Sequence, residues 1–162
     1  MKNDELEALY KKYNSELYIY ALSLCKNHHL SQDLVSDTFF KALLSMENKQ
    51  LYIKYWLFRV CKNLYLDYLR KNNRFQDGEI DENKFIVEDN TLDKIILNEE
   101  RRKIYYEVLN LQPSYKEIIT LYYYCNFNLQ EISTIIGASQ GAARTLLFRA
   151  RKKLKEVLEE EI

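Results

Sequence analysis

The stretch that most restricts the fold is Phe127 to Leu158, FNLQEISTIIGASQGAARTLLFRARKKLKEVL. Asn128 followed three residues later by Glu131 is a helix-capping signature, because each side chain can reach the other's backbone N–H. Leu129, Ile132, Ile135 and Ile136 then recur on one helical face. Gly137 suits the end of that helix, where a left-handed residue is needed. Ser139 can cap a second helix starting near Gln140. Two amphipathic helices joined by so short a turn predict a helix-turn-helix.

In the second helix, Ala143, Leu146, Leu147, Ala150, Leu154, Val157 and Leu158 share the side that packs. Arg144, Thr145, Phe148, Lys152 and Lys155 project from the other side. Phe148 is thereby an aromatic among cations on a wet face. A helix lying in a DNA major groove uses that combination: cations hold phosphates or guanines, and an apolar ring meets thymine methyls. The bland alternative is a solvated charged face with one stray aromatic.

Composition limits the remainder. Three Gly and one Pro in 162 residues leave few turn formers, so helix should dominate, and no alternating strand-like run appears. The 24 Lys and Arg balance 24 Asp and Glu. Neutrality is unusual for a protein that binds DNA unaided, because phosphate neutralisation supplies most non-specific affinity. A partner with its own DNA affinity, or segregation of charge along the chain, resolves this. Segregation is visible: the last helix is basic and Gln76 to Asp93 is acidic. No signal peptide or span of transmembrane length is read. Cys25, Cys61 and Cys125 stand singly in helical contexts and predict reduced core thiols. Cys25, His28 and His29 lack a second Cys/His pair to complete a tetrahedral set, so no metal site or other cofactor is expected.

The first helix should run from Glu5 to about Lys26, with Leu6, Leu9, Tyr10, Tyr13, Leu17, Tyr20, Ala21 and Leu24 inward, broken by Asn27-His28-His29. Ser31 is expected to cap a second helix running to about Met46, with Val35, Phe39, Ala42 and Met46 inward. Its other side presents Asp33, Ser36, Asp37, Phe40, Lys41 and Leu44. Apolar Phe40 and Leu44 rimmed by acids resemble a protein-docking patch; otherwise Phe40 packs on a neighbouring helix. Ser45 to Gln50 is a polar loop. A third helix spans Tyr52 to about Asn72, with Leu57, Cys61, Leu64, Tyr65 and Tyr68 buried. It carries a second stripe of Trp56, Arg59, Asn63, Asp67 and Arg70. An aromatic, an amide and arginines in line suit single-stranded nucleic acid, where bases stack on rings and amides read base edges. Otherwise Arg70 pairs with Asp67 and Trp56 covers a core edge. Arg74 to Thr91 breaks periodicity and reads as an acidic linker too long for an ordinary intradomain loop. One helix is expected over Leu92 to Leu109, then a turn, then a helix capped by Ser114 in which Ile118, Ile119, Leu121 and Tyr122 pack.

Three blocks now resemble the extracytoplasmic-function (ECF) group of bacterial sigma factors. SQDLVSDTFFKALL, Ser31 to Leu44, is similar to the family's AEDLVQDTFLKAL; WLFRVCKNLYLDYLRK, Trp56 to Lys71, is similar to WLYRIARNLALDYLRR. Leu111 to Leu154 is similar to region four. The departures from the family's usual residues are Gln32 and Ser36 in the first block and Ala142-Ala143-Arg144-Thr145 in the third. The resemblance implies an all-α chain of two helical domains: region two over 1–75, an acidic linker over 76–91, and region four over 92–162. It implies binding to core RNA polymerase, through the clamp coiled coil of the largest subunit and the flap. Asp33, Ser36, Asp37, Phe40 and Leu44 would dock there. Trp56, Arg59, Asn63, Asp67 and Arg70 would face the −10 strand, and the Ser45–Gln50 loop would receive a flipped base. Gln140, Arg144, Thr145, Phe148, Arg149 and Lys152 would read or hold the −35 duplex. The linker would run through the polymerase's RNA exit path. Promoter DNA is the implied ligand, an anti-sigma factor a further partner, and the cytoplasm the place of action.

The rivals are a stand-alone helix-turn-helix regulator, which leaves the Trp56–Arg70 stripe and the docking face without a use, and an anti-sigma-like scaffold, which leaves the basic helix without one. No nucleophile–base set or phosphate loop supports an enzyme.

Overall fold

The computed structural model describes residues 3–45, 52–75 and 91–160, and within them the regular structure is helical. The chain divides into two compact units, Met1–Val87 and Glu88–Ile162. The Ser45–Gln50 loop beyond Ser45 and the linker from Gln76 to Asn90 lie outside the described residues.

The first unit packs α1 (Asn3–Cys25), α2 (His28–Ser45) and α3 (Ile53–Phe75) against one another. In α1 every residue from Leu17 to Ser23 is buried. The helix is surrounded there, so its apolar stripe widens to include Tyr18, Ile19 and Leu22, which a one-sided reading leaves out. Leu57, Phe58 and Cys61 of α3 are fully buried, as is Ala42 of α2. Each fully buried Leu or Phe here contributes about 1.5–3 kcal/mol. Tyr68, expected inside, is 37% exposed, and Phe58 takes the core position beside Tyr20 with ring centroids 5.2 Å apart. Burial pushes the Cys61 thiol up from 9.0 to about 12, against a lowering hydrogen bond from Thr38, so it stays protonated.

The turn between α1 and α2 is tighter than the sequence predicts. Lys26 takes φ 55°, and α2 begins at His28. The cap is Asn27, whose Oδ1 accepts from the Leu30 N–H at 2.9 Å. Ser31, the expected cap, is buried inside the helix and donates to the Asn27 carbonyl at 2.7 Å. His28 is therefore the first residue of α2 and not part of the break between the helices. It is buried at the start of α2, with Nδ1 2.5 Å from the Tyr18 hydroxyl.

The second unit contains α4 (Thr91–Ile95), α5 (Glu99–Val108), α6 (Pro113–Ile119) running into a π-helical turn (Thr120–Tyr124), α7 (Leu129–Ile136) and α8 (Gln140–Glu160). The single helix expected over 92–109 is two. Asn98 interrupts it by capping α5, accepting from the Arg101 N–H at 2.8 Å. α4 is tied across the break by Asp93 to Arg102, 3.0 Å apart. Ser114 is not a cap either. Pro113 opens α6 at a position where its missing N–H costs nothing, and no side chain caps that end.

The π turn inserts one extra residue per turn, with the Cys125 N–H bonded to the Thr120 carbonyl at 3.0 Å. It turns Tyr124 inward to stack edge-on with Tyr105 at 5.0 Å. Tyr122, expected inside, is left half-buried, and the Thr120 hydroxyl is buried without a hydrogen-bond partner in the described structure.

Candidate nucleic-acid interface

Residue by residue, the helix-turn-helix forms from local chemistry. The Asn128 side chain accepts from the Glu131 N–H at 2.8 Å, and the Glu131 carboxylate accepts from the Asn128 N–H at 3.0 Å. Gly137 ends α7 at φ 74°, and a Cβ built there would meet nothing within 4 Å. Glycine is thus required by backbone angle and not by crowding. The Ser139 hydroxyl accepts from the Ala142 N–H at 3.1 Å and starts α8.

α8 is anchored through buried Ala143, Leu147 and Ala150, and packs on α5, α6 and α7. Leu146, Leu154, Val157 and Leu158, assigned to the packed side, are half-buried. Gln140, Arg144, Thr145, Arg149 and Lys152 are exposed, and the Phe148 ring is 66% exposed. Among the described residues, Arg144, Arg149 and Lys152 have no ion-pair partner.

The neighbouring cations of this unit differ. Arg102 is paired with Asp93, Lys103 with Glu99 at 3.3 Å. Arg101 donates to the Tyr123 carbonyl and lies 4.5 Å over the Tyr124 ring. Arg151 donates to the Tyr123 hydroxyl at 2.5 Å and lies 5.2 Å from the Tyr122 ring centre. Tyr124 donates back to the Arg101 carbonyl at 2.7 Å, and burial pushes its phenol up to about 12 despite the guanidinium beside it. These contacts clamp α8 to α5 and the π turn. The cations facing outward on α8 remain uncommitted, as an anion-contacting set must.

A groove of about 540 Å³ opens beside the clamp, lined by Ile104, Ile119, Tyr123, Leu154 and Leu158 and edged by Lys155. The sequence reading placed Leu154 and Leu158 on the packed side and missed it. Their recurrence beyond the last buried residue, Ala150, is the available signal.

In the first unit, α2 buries Leu34, Val35, Thr38 and Phe39 and exposes Asp33, Ser36 and Asp37. Phe40 is 59% exposed and Leu44 70%. Phe39, not Phe40, is the ring that packs into the unit, edge-on to Tyr10 at 5.0 Å. On α3, Arg59 and Asn63 are exposed, Trp56 and Asp67 half-buried, and Arg70 exposed. Asp67 and Arg70 are paired with each other, so two members of the expected stripe hold an internal partner.

Among the described residues no group of three or more His, Cys, Asp or Glu could hold a metal ion. No described helix is long and apolar enough to cross a membrane.

Comparison with known proteins matches the two units separately. The family model for sigma-70 region 2 covers residues 9–75, and that for sigma-70 region 4 covers residues 97–154. The chain is 29% identical to the ECF RNA polymerase sigma factor SigM of Bacillus subtilis over 160 residues, covering 93% of each protein. It is 28% identical to the RNA polymerase sigma factor YlaC of the same organism, covering 94% of this chain and 91% of YlaC. Among solved structures it superimposes on the sigma factor RpoE of Bartonella quintana, crystallised with the anti-sigma factor NepR, with a TM-score of 0.69 and 25% identity over 96% of this chain and 97% of that one. The region 2 match spans the unit with the acid-rimmed patch, and the region 4 match spans the helix-turn-helix. The chain belongs to the sigma-70 family of RNA polymerase sigma factors, in its ECF group.

Proposed function

We propose that this chain binds core RNA polymerase and directs it to promoters, reading the −35 element as duplex and opening the −10 element. The observation that carries this reading is the exposed Phe148 ring set among uncommitted cations on a helix whose opposite side is buried. In the major groove, Arg144 and Thr145 reach base edges, Phe148 meets a thymine methyl, and Gln140, Arg149 and Lys152 hold the backbone. Asp33, Ser36, Asp37, Phe40 and Leu44 dock on the clamp coiled coil, with an apolar centre and a polar rim. The groove beside α8 is the second unit's surface for the flap. Asn63, with Trp56 and Arg59, takes bases of the opened strand; Asp67 and Arg70 must exchange their mutual pair to join them.

The chain makes and breaks no covalent bond itself; polymerase supplies the chemistry. It works in the cytoplasm, on the nucleoid when in holoenzyme. An anti-sigma factor is a further partner, of the kind crystallised with the Bartonella relative. Neutral net charge follows, because polymerase contributes much of the DNA affinity.

Footprinting of holoenzyme on promoter DNA tests the proposal. Chain plus core should protect two separated patches and make the −10 thymines reactive to permanganate. Replacing Asp33, Asp37 and Phe40 together should abolish co-purification with core and both footprints. Protection by the chain alone, unchanged by core, would instead mark a stand-alone regulator.

A further inference from the structure

The groove of the second unit has a rim that its proposed use leaves unexplained. Its floor is apolar, from Ile104, Ile119, Tyr123, Leu154 and Leu158. Its rim carries both signs: Glu100 and Arg101 from α5, and Arg151, Lys155 and Glu159 from α8. A second hollow of about 320 Å³ continues past Ile104 and Leu158 to Lys103 and Tyr106. The two hollows share those apolar residues and form one seam along α5 and α8, a shape that suits a rod-like partner.

α8 makes this seam by outrunning its core. Ala150 is its last buried residue, and the helix continues from Arg151 to Glu160, about 15 Å further. Over that length Leu154 and Leu158 are half-buried, one turn apart. The charges are segregated: Arg151, Lys152, Lys153 and Lys155 come first, then Glu156, Glu159 and Glu160. Lys155 and Glu159 are spaced to pair along one helix face. Yet neither they nor Glu100 has an ion-pair partner among the described residues.

These features narrow the occupant. A purely anionic partner would meet Glu100 and Glu159, and a purely cationic one Arg101, Arg151 and Lys155. The rim calls for a rod with an apolar stripe, a basic part and an acidic part. The end of α8 is itself such a rod. Laid antiparallel on its own copy, its basic part faces the acidic part of the other, and Leu154 meets Leu158 of the second copy. Laid parallel, like charges would face each other. A two-fold axis makes every favourable contact twice.

We propose that the free chain pairs with a second copy of itself, the α8 segments from Arg151 to Glu160 lying antiparallel across each other's grooves. The seam is short, so the pair is weak and reversible. Pairing hides the groove, so core polymerase must part the two copies to take one chain. That consequence rests on the proposed use of the groove by the flap; the pairing itself does not.

Sedimentation equilibrium of the full chain, without polymerase, tests the pairing. The parent should pass from monomer to dimer with a midpoint between about 1 and about 100 µM. Lys155→Glu makes the α8 rim mostly acidic, and Glu159→Lys makes it mostly basic. Each alone should weaken pairing at least about tenfold, by setting like charges opposite one another. Mixed in equal amounts, the two variants should pair again as a heterodimer, because each supplies the charge the other lacks; an unfolded variant could not be rescued this way. A parent that stays monomeric at about 1 mM, variants that dimerise as the parent does, or a mixture that stays monomeric would each overturn the proposal. Adding core polymerase separates the two readings. One chain per core, with loss of the dimer, is expected. Two chains per core would leave the pairing intact and remove the flap from the groove.

Discussion

α8 and α3 both present an aromatic in a polar stripe, but their charges are arranged differently. On α8 the outward cations Arg144, Arg149 and Lys152 have no ion-pair partner among the described residues, while Arg101, Arg102 and Arg151 behind them are committed to Asp93 of α4 and the tyrosines of the π turn. On α3 the stripe is part neutral and part self-paired: Trp56 and Asn63 flank Arg59, and Asp67 and Arg70 pair with each other. A helix of the first kind presents free positive charge to duplex phosphates, and its affinity falls steeply with salt. A helix of the second kind offers rings and an amide to bases already separated, and salt should affect it less. On the proposed function, one chain divides duplex reading and strand capture between two electrostatic designs.

The largest effect that sharpens the contrast is expected at Arg144. Arg144→Ala should cost about 1–3 kcal/mol of −35 binding and relax base preference at one position. Binding measured across a set of −35 variants checks this; an equal loss on every sequence would leave Arg144 holding phosphate only. Next comes the scaffold of α8. Gly137→Ala forces a Cβ into the left-handed region at φ 74° and should destabilise the second unit by about 1–2 kcal/mol, read as a lowered denaturation midpoint. On α3 the expected effects are smaller and kinetic. Asn63→Ala should lose about 0.5–1.5 kcal/mol of strand capture and slow promoter opening without altering closed-complex formation. Stopped-flow opening rates that do not change would remove Asn63 from the strand interface. Smallest of all, Asp67→Ala should change stability by no more than about 1 kcal/mol, because its pair with Arg70 is exposed, and by freeing Arg70 it should steepen the salt dependence of fork-junction binding. An unchanged slope would mean the pair does not temper the stripe's charge.

The same pair of helices shows what the sequence can reveal. The turn between α7 and α8 is written in local chemistry: Asn128 with Glu131, Gly137 and Ser139 each form a bond or angle that depends on near neighbours alone. The exposed faces of α2 and α8 were readable from the 3.6-residue period for the same reason. What was missed depends on packing. Seven consecutive residues of α1 are buried because two helices surround it, which no single-face pattern expresses. Ser31 and Ser114 resemble caps, but Asn27 and Pro113 lie closer to where the chain actually turns. The π turn reorders Tyr122, Tyr123 and Tyr124, and three identical residues carry no signal of which one points inward. The groove at Leu154 and Leu158 arises only where α8 outruns the core behind it.

The most direct test of the account is run-off transcription by purified core polymerase on genomic fragments, with and without this chain. The account predicts discrete new transcripts that start at fixed positions only when the chain is present, and that disappear when Asp33, Asp37 and Phe40 are replaced together. Identical transcript patterns with and without the chain would contradict it.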